Sequence, residues 1–217
     1  MPEIKVKICG LTNLADALAA ADAGADFLGF IFVPGPRRVE PAAARGFWDE
    51  LPRGMPKVAV FRDQTIEEVE EVVALLNPDY LQFHGVETPG FCRIFEKPVI
   101  RALPARVPAD LAIAEAFLEA AEIFLVDLPK GVDGVLSADV ARMAMHLPKP
   151  VILAGGLNPG NVRAIVEEFR PYGVDVARGV ETAPGIKDHA LVREFVRNAK
   201  SQIGDRPRLN NVASPLS

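Results

Sequence analysis

The sequence has few cysteines, no long apolar run and no cluster of positive charge, and each of these features excludes a class of protein. Two cysteines, Cys9 and Cys92, cannot make the disulfide framework of a small secreted domain, and no Cys/His spacing suggests a zinc site. No continuous apolar run is long enough to span a membrane, and the N-terminal residues MPEIKVKICG lack the pattern of a signal peptide. We therefore expect a cytoplasmic protein that binds no metal and does not enter a membrane.

The charge balance argues against nucleic acid as a partner. The net charge is −5, the pI is near 5.3, and no run of Lys or Arg is interleaved with aromatic residues. At 217 residues, with 49% hydrophobic content, the chain is long enough to bury one substantial core. We predict a single domain over residues 1–203, followed by a disordered tail over residues 204–217, which have no hydrophobic pattern.

Short apolar segments alternate with amphipathic segments eight times along the chain. The apolar segments have the length and composition of buried strands, and they lie at residues 4–9, 26–32, 57–61, 80–84, 99–103, 123–127, 151–154 and 174–177. Apolar strands that alternate with helices are typical of a parallel sheet covered by helices, and eight such units close into a barrel. The sequence therefore predicts an α/β fold, a single-domain (βα)8 TIM barrel.

Polar residues mark the starts of several predicted helices. Thr65 and Glu68 have the spacing of a capping box, and Asp188 precedes the apolar positions of the last helix. Asn158, followed by Pro159, stands where a cap is expected for the helix after the seventh strand. We therefore expect that helix to begin directly after the turn that ends the seventh strand.

The turns after the seventh and eighth strands are suited to holding a phosphate. Gly155 and Gly156 follow the seventh strand, and their missing side chains let a ligand approach the backbone N–H groups. A helix start behind them adds a favourable dipole, and a second glycine turn, at Arg178 and Gly179, opens on the same side. A Gly-Gly pair alone is most often an ordinary tight turn. Two such turns after strands seven and eight are where many (βα)8 barrels bind phosphate.

In a (βα)8 barrel the reactive side chains lie where the strands end. Those residues here are Cys9, Arg37, Arg38, Arg62, Asp63, His84, Arg101, Asp127 and Asp175. Cys9 precedes a helix start that can lower the pKa of its thiol, which suggests a base or nucleophile, while the alternative is a buried, inert thiol. Burial would raise the pKa of the Asp127 carboxyl group and suit it to act as an acid, unless this residue only caps a turn.

Two further strand-end residues are candidate ligand contacts. His84 is either a contact at the barrel mouth or a structural histidine. Arg37 has the planar fork that binds a carboxylate through two hydrogen bonds, although a single exposed arginine is usually only solvated. The fold alone names no reaction, so these residues leave the chemistry open.

Six segments together resemble the phosphoribosylanthranilate isomerase family of tryptophan synthesis. They are KICGLT at 7–12, PRRV at 36–39, QFHG at 82–85, VD at 126–127, AGGLNPGNV at 154–162 and GVDVARGVETAPGIKD at 173–188. The resemblance covers nearly all of residues 3–200, and its first and last two segments are specific to the family. It implies an Amadori rearrangement of a small phosphosugar without any cofactor, and we expect a monomer or a homodimer.

The same resemblance implies roles for individual residues. Cys9 would be the general base and Asp127 the general acid, and Arg37 would bind the anthranilate carboxylate. It also implies that Gly155, Gly156, Gly179 and Val180 hold the phosphate. We add Leu157 and Arg178, which stand in the same two turns, to the predicted phosphate site. His84 and Asp175 are predicted to contact the substrate from their places at the strand ends.

Three departures from the family pattern carry further expectations. The loop after strand six, residues 128–134, is shortened, and we expect it to leave Asp127 exposed, with an ordinary carboxyl pKa and slower turnover. Arg178 stands where the family usually has serine, and we expect it to contact the phosphate. Phe83 replaces the usual leucine, which is a change in packing.

Two other functions are compatible with these motifs. The first is an isomerase that acts on another phosphorylated aminosugar or ketose. The second is a non-catalytic protein that binds a phosphometabolite. The presence of both Cys9 and Asp127 argues against the second, because binding alone does not require a thiol and a carboxyl group at those strand ends.

Overall fold

The computed structural model describes residues 3–201, and its strands form a closed parallel barrel. The strands are neighbours in chain order, and the first pairs with the eighth. They are β1 (Lys5–Cys9), β2 (Phe27–Ile31), β3 (Lys57–Phe61), β4 (Tyr80–Phe83), β5 (Val99–Pro104), β6 (Ile123–Asp127), β7 (Val151–Leu153) and β8 (Gly173–Val176). The predicted (βα)8 barrel is confirmed, while the predicted tail over residues 204–217 lies outside the described residues.

Helices cover the outside of the barrel between successive strands. They are α1 (Leu14–Asp22), α2 (Pro41–Trp48), α3 (Ile66–Leu76), α4 (Pro89–Cys92), α5 (Ala138–Ala144), α6 (Val162–Phe169) and α7 (His189–Lys200). The connection after β5 is a 3₁₀ helix, Pro108–Phe117. None of the helices within residues 3–201 has the length and apolar character needed to cross a membrane.

Alternation along each strand divides the core into two layers. In β6, Phe124 and Val126 pack in the layer between the strands and the helices, whereas Ile123 and Leu125 fill the barrel interior. Each fully buried aliphatic or aromatic side chain contributes about 1.5–3 kcal/mol through the hydrophobic effect. Because Asp127 has the parity of the inward-facing residues, its side chain points to the barrel axis at the end of the strand.

Two of the three predicted helix caps are confirmed, and one is wrong. Thr65 and Glu68 form a capping box, and the Asp188 carboxylate accepts hydrogen bonds at the start of α7. Asn158 is not a cap, because α6 begins at Val162. The Asn158 side chain instead accepts a hydrogen bond from the N–H of Gly160. This hydrogen bond closes a turn of the kind that asparagine side chains often form in loops, and the helix therefore begins after the turn.

The connection after β8 contains a hairpin that the sequence pattern does not predict. A 3₁₀ turn, Arg178–Val180, comes first, and the strands β9 (Glu181–Ala183) and β10 (Ile186–Lys187) follow in antiparallel pairing. Only then does α7 begin. This hairpin brings two charged residues, Glu181 and Lys187, to the carboxyl-terminal end of the barrel.

Candidate active site

A cavity of about 430 Å³ opens at the carboxyl-terminal end of the barrel. The strand ends and the loops that follow them form its wall, as expected of this fold. The predicted site residues that line it are Arg37, His84, Asp127, Gly155, Gly156, Leu157, Asp175, Arg178 and Gly179. Cys9 and Val180 are buried and lie outside this lining. In the described part of the chain, no group of three or more His, Cys, Asp or Glu side chains could hold a metal ion.

Asp127 presents its carboxyl group to the cavity. Its Oδ1 accepts a hydrogen bond of 2.7 Å from the backbone N–H of Leu128, and its Oδ2 lies 3.6 Å from His84 Nε2. Burial raises the pKa of the carboxyl group to about 6, and the negative charge of Asp175 adds to the rise. The expectation of an exposed acid with an ordinary pKa is therefore wrong, because residues 128–133 line the same cavity and shield it.

His84, just after β4, is held in its neutral form. Burial lowers the pKa of its imidazole to about 4, and the positive charges of Arg62 and Lys7 act in the same direction. Its Nδ1 lies 3.3 Å from Nε2 of Gln82. Gln82 is thus the partner of Nδ1, and Nε2 lies on the side of Asp127. His84 is therefore a neutral imidazole beside the acid.

Cys9 ends β1 inside the barrel, where 5% of its surface is exposed. It belongs to the same interior cluster as Val60 and Ala154, which line the cavity, so the thiol lies beneath the cavity floor. Burial raises the pKa of the thiol, and the positive charge of Lys7 opposes that rise only in part. The expectation of a lowered thiol pKa is therefore wrong, because desolvation outweighs the helix start at Leu14.

Asp175, in β8, forms an ion pair inside the barrel. Its Oδ1 accepts a hydrogen bond of 2.8 Å from the ammonium of Lys7, whose side chain is fully buried. The pairing of β1 with β8 places Lys7 directly beside Asp175. The Asp175 carboxylate therefore lies at the cavity wall with a cation beneath it.

The guanidinium of Arg37 is held in place by Glu181 of the hairpin. Arg37 donates from Nε and Nη2 to the two carboxylate oxygens, at 2.9 and 2.6 Å. Glu181 also accepts a hydrogen bond of 2.9 Å from the buried ammonium of Lys187. Because the Arg37 bonds to Glu181 use Nε and Nη2, Nη1 lies outside this pair. Arg37 is thus oriented at the cavity wall before any ligand binds.

The two glycine turns pack backbone against backbone. Gly155 and Gly156 have φ of +85° and +72°, in the left-handed region that favours glycine. A Cβ at Gly156 would overlap the carbonyl oxygen of Gly134, and a Cβ at Gly179 would overlap that of Leu157. The 3₁₀ turn after β8 begins with N–H groups that have no partner inside the turn. Phosphate binding by these turns stays a prediction.

Arg178 extends along the cavity rim. Its side chain is 62% exposed, and its Nη1 lies 3.0 Å from Oδ1 of Asp133 in the loop after β6. An ion pair this exposed contributes about 0–1 kcal/mol, so a stronger anion could replace Asp133 as its partner. The predicted phosphate contact of Arg178 and the predicted slower turnover both stay predictions.

Comparison with known proteins adds a second line of evidence. Residues 6–198 match the family model described as N-(5'-phosphoribosyl)anthranilate (PRA) isomerase. The chain is also 44% identical over 202 residues to the N-(5'-phosphoribosyl)anthranilate isomerase of Geobacter metallireducens. That alignment covers 91% of this chain and 100% of the Geobacter protein. The chain belongs to the PRA isomerase family.

Solved structures agree with the PRA isomerase assignment. The enzyme of Thermotoga maritima superimposes with a TM-score of 0.85 at 35% identity, over 92% of this chain and 100% of that one. A phosphoribosylanthranilate isomerase in complex with reduced 1-(o-carboxyphenylamino)-1-deoxyribulose 5-phosphate superimposes at 0.82, with 34% identity over the same shares of the two chains. The family resemblance inferred from six sequence segments is confirmed.

Three charged residues of this PRA isomerase site were not predicted from the sequence. They are Lys7, Glu181 and Lys187, whose side chains are 0%, 5% and 0% exposed. The sequence did contain a signal for Lys7, because strand alternation in KVKIC places it on the same side as Cys9. Glu181 and Lys187 had no such signal, since their positions depend on the hairpin and on a partner far away in the chain.

Proposed function

We propose that Cys9 and Asp127 are the base and the acid with which this chain isomerises N-(5'-phosphoribosyl)anthranilate. The proposal rests mainly on one observation, the side chain of Asp127 at the cavity wall with a carboxyl pKa raised to about 6. With that pKa, about a tenth of the carboxyl groups are protonated at pH 7, compared with about a thousandth at the pKa of a free aspartate. The cavity therefore contains an acid suited to neutral pH.

In the first step, Asp127 donates its proton to the ring oxygen of the ribose. The bond between C1′ and that oxygen breaks, and the nitrogen lone pair forms the C1′=N bond of a protonated Schiff base. The Leu128 N–H donates to Oδ1 and stabilises the carboxylate that this step leaves behind. His84, a neutral imidazole with Nε2 on the side of Asp127, would assist by a hydrogen bond to the carboxylate or to the substrate.

In the second step, the Cys9 thiolate removes the proton from C2′. The electron pair of that C–H bond forms the C1′=C2′ bond, and the nitrogen regains its lone pair, which gives the enolamine. The C2′ hydroxyl then loses its proton as C1′ gains one, and the ketone product results. The acid at the wall and the thiol beneath the floor would thus act at different atoms of one substrate.

Binding of the two ends of the substrate follows from the charges of the cavity. Arg37 would bind the anthranilate carboxylate through Nη1, the nitrogen that does not bond to Glu181. Asp175 would accept a hydrogen bond from a hydroxyl group of the sugar. The glycine turns would hold the phosphate. Within residues 3–201, no acceptor takes a hydrogen bond from the N–H groups of Gly155 and Gly156, as expected of donors that serve a ligand.

Substitution of the acid and of the base tests the proposal. We expect Cys9→Ser and Asp127→Asn each to lower kcat by about 10²–10⁴-fold with the fold intact, because serine is a much weaker base and an amide is not an acid. Cys92→Ala is the matched control, since it removes the other buried thiol, which lies outside the cavity lining. Steady-state kinetics and circular dichroism of the four proteins provide the measurement.

Two outcomes of that experiment would contradict the proposed roles. A folded Cys9→Ser or Asp127→Asn protein that keeps a tenth or more of the wild-type kcat would remove the role of that residue. A Cys92→Ala protein that loses as much kcat as Cys9→Ser would show that the effect comes from packing and not from the missing base.

The setting of the reaction is also part of the proposal. We place the protein in the cytoplasm, as a monomer or a homodimer that acts on a small phosphosugar. Both cysteines are free thiols in the structure, which is the usual state in a reducing compartment. Size-exclusion chromatography with light scattering would distinguish the monomer from the dimer.

A further inference from the structure

Lys7 is a fully buried cation directly beneath the cavity. Strand alternation places Lys7 and Cys9 on the same inward face of β1, and no part of the Lys7 side chain is exposed. Burying an ammonium is costly unless it is paired, and its hydrogen-bond partner here is Asp175 of the cavity wall. The ammonium thus connects the core of the barrel to the site.

The tips of Lys7 and Cys9 meet at Gly29. Cys9 pairs with Gly29 in the β1–β2 register, and a Cβ at that glycine would lie 3.0 Å from Cys9 Sγ and 3.0 Å from Lys7 Nζ. The sulfur and the ammonium nitrogen are therefore at most about 6 Å apart, and both residues are buried. A side chain at position 29 would displace one or both of them.

We infer that Lys7 is a positioning residue of the isomerase, whose ammonium stabilises Cys9 as the reactive thiolate while it is paired with Asp175. The inference rests on the proposed role of Cys9 as the base. Lys7 would supply the positive charge that the base requires, because a thiolate buried without a nearby positive charge would be protonated and could not remove a proton from carbon.

The charges around the thiol oppose one another. Burial raises the thiol pKa, and Asp175 raises it further, while Lys7 lowers it through both its charge and a hydrogen bond. Lys187, of β10, lowers it as well, after Lys7 in strength. Of the groups that face Lys7 from the other strands, Asp127 contributes a carboxyl group and His84 is neutral. Loss of Lys7 therefore removes the main influence that favours the thiolate.

A purely structural role for Lys7 makes a different prediction. If the ammonium only neutralised Asp175, removing both groups together would restore the site, and the titration of Cys9 would not depend on Lys7. If the ammonium also acts on Cys9, the thiol pKa rises whenever Lys7 is absent, with or without Asp175.

The test measures the pKa of Cys9 directly, by NMR of protein labelled with ¹³C-cysteine, in the Cys92→Ala background so that one thiol reports. We expect Lys7→Met to raise the pKa of Cys9 by about one unit or more, and kcat at neutral pH to fall about tenfold or more with it. Lys5→Met is the control, since Lys5 lies on the same strand but pairs with Asp26 at the other end of the barrel.

A second pair of variants covers the case in which Lys7→Met does not fold. The double variant Lys7→Met/Asp175→Asn leaves no unpaired buried charge, and we expect its Cys9 pKa to lie above that of Asp175→Asn alone. Equal values in the two proteins, or an unchanged pKa in folded Lys7→Met, would overturn the inference. The titration needs no substrate, so a wild-type protein without turnover would contradict the proposed function separately from this result.

Discussion

At the scale of single residues, burial decides the acid-base properties of this site. Asp127 and Cys9 both end strands of the barrel, and for both the loss of water is the first cause of a raised pKa. The consequences differ, because a raised pKa makes a carboxyl group a better-matched acid at neutral pH, whereas it leaves a thiol less often ionised. Burial alone therefore suits Asp127 to the proposed role of acid, whereas Cys9 in the proposed role of base needs a nearby cation such as Lys7.

The raised pKa of Asp127 gives a direct prediction. In NMR of ¹³C-aspartate-labelled protein, the Asp127 carboxyl carbon should titrate near pH 6, where an unperturbed aspartate titrates near about 3.9. Asp175→Asn should lower that value, because it removes the neighbouring negative charge. The control is Asp139→Asn, which changes an exposed aspartate of α5.

A wild-type Asp127 titration near pH 4 would contradict this account of the acid.

The raised pKa of Asp127 also affects the stability of the fold, because burial makes its charged carboxylate less favourable in the folded state than in the unfolded state. The contribution of Asp127 to stability is thus present below the unfolded pKa and is lost as the pH rises through about 6.

The sequence pointed to both possibilities for the acid and to only one for the base. Asp127 ends an apolar strand, so its burial and its raised pKa could be inferred from FLVD, whereas the shortened loop after β6 suggested an exposed acid with an ordinary pKa, which is wrong. Cys9 also follows an apolar strand, but the nearby helix start suggested a lowered pKa. The structure shows a buried thiol whose balance depends on Lys7 and Asp175, and the pairing of β1 with β8 that joins those two is not visible in either segment alone.

At the scale of elements, the site depends on how three loops pack together. The loop after β6, the turn after β7 and the 3₁₀ turn after β8 touch through their backbones, at Gly134 against Gly156 and at Leu157 against Gly179. Glycine is required at these contacts because a Cβ would overlap a carbonyl oxygen. The same contacts fix the N–H groups that we propose bind the phosphate.

A single added methyl group tests that packing. We expect Gly179→Ala to raise KM about tenfold or more, because the Cβ would push the turn after β8 away from Leu157 and weaken charge-assisted bonds of about 1.5–3 kcal/mol. Gly46→Ala is the control, since Gly46 lies in α2 with open space around its Cα. Steady-state kinetics and competition by inorganic phosphate measure the effect.

One result with Gly179→Ala would contradict phosphate binding by these turns. A folded Gly179→Ala protein with the KM of the wild type and the same inhibition by phosphate would show that these turns do not hold the phosphate. A similar rise of KM in Gly46→Ala would show that the change is not specific to the turns.

Strands were predictable at this scale and loops were not. All eight strands have the apolar composition that a closed parallel barrel demands, and each predicted range overlaps the observed strand. The turn at Asn158 delays α6 through side-chain hydrogen bonds, and the hairpin of β9 and β10 depends on pairing that has no hydrophobic signal. Polar contacts of this kind depend on three-dimensional geometry more than on pattern.

At the scale of the whole molecule, the closed barrel brings together residues from distant parts of the chain. Arg37 and Glu181, which form the ion pair at the cavity wall, are 144 positions apart, and Lys7 and Asp175 are 168 apart. The sequence predicts that strand ends converge, because every strand of a (βα)8 barrel ends on the same face. It does not predict which charges pair there.

The central claim is that this convergence makes an isomerase. The measurement that tests it most directly is steady-state turnover of N-(5'-phosphoribosyl)anthranilate by the purified wild-type protein at neutral pH. We predict saturable conversion to 1-(o-carboxyphenylamino)-1-deoxyribulose 5-phosphate that is lost in Asp127→Asn. A folded wild-type protein that binds inorganic phosphate but leaves the substrate unchanged would contradict the account.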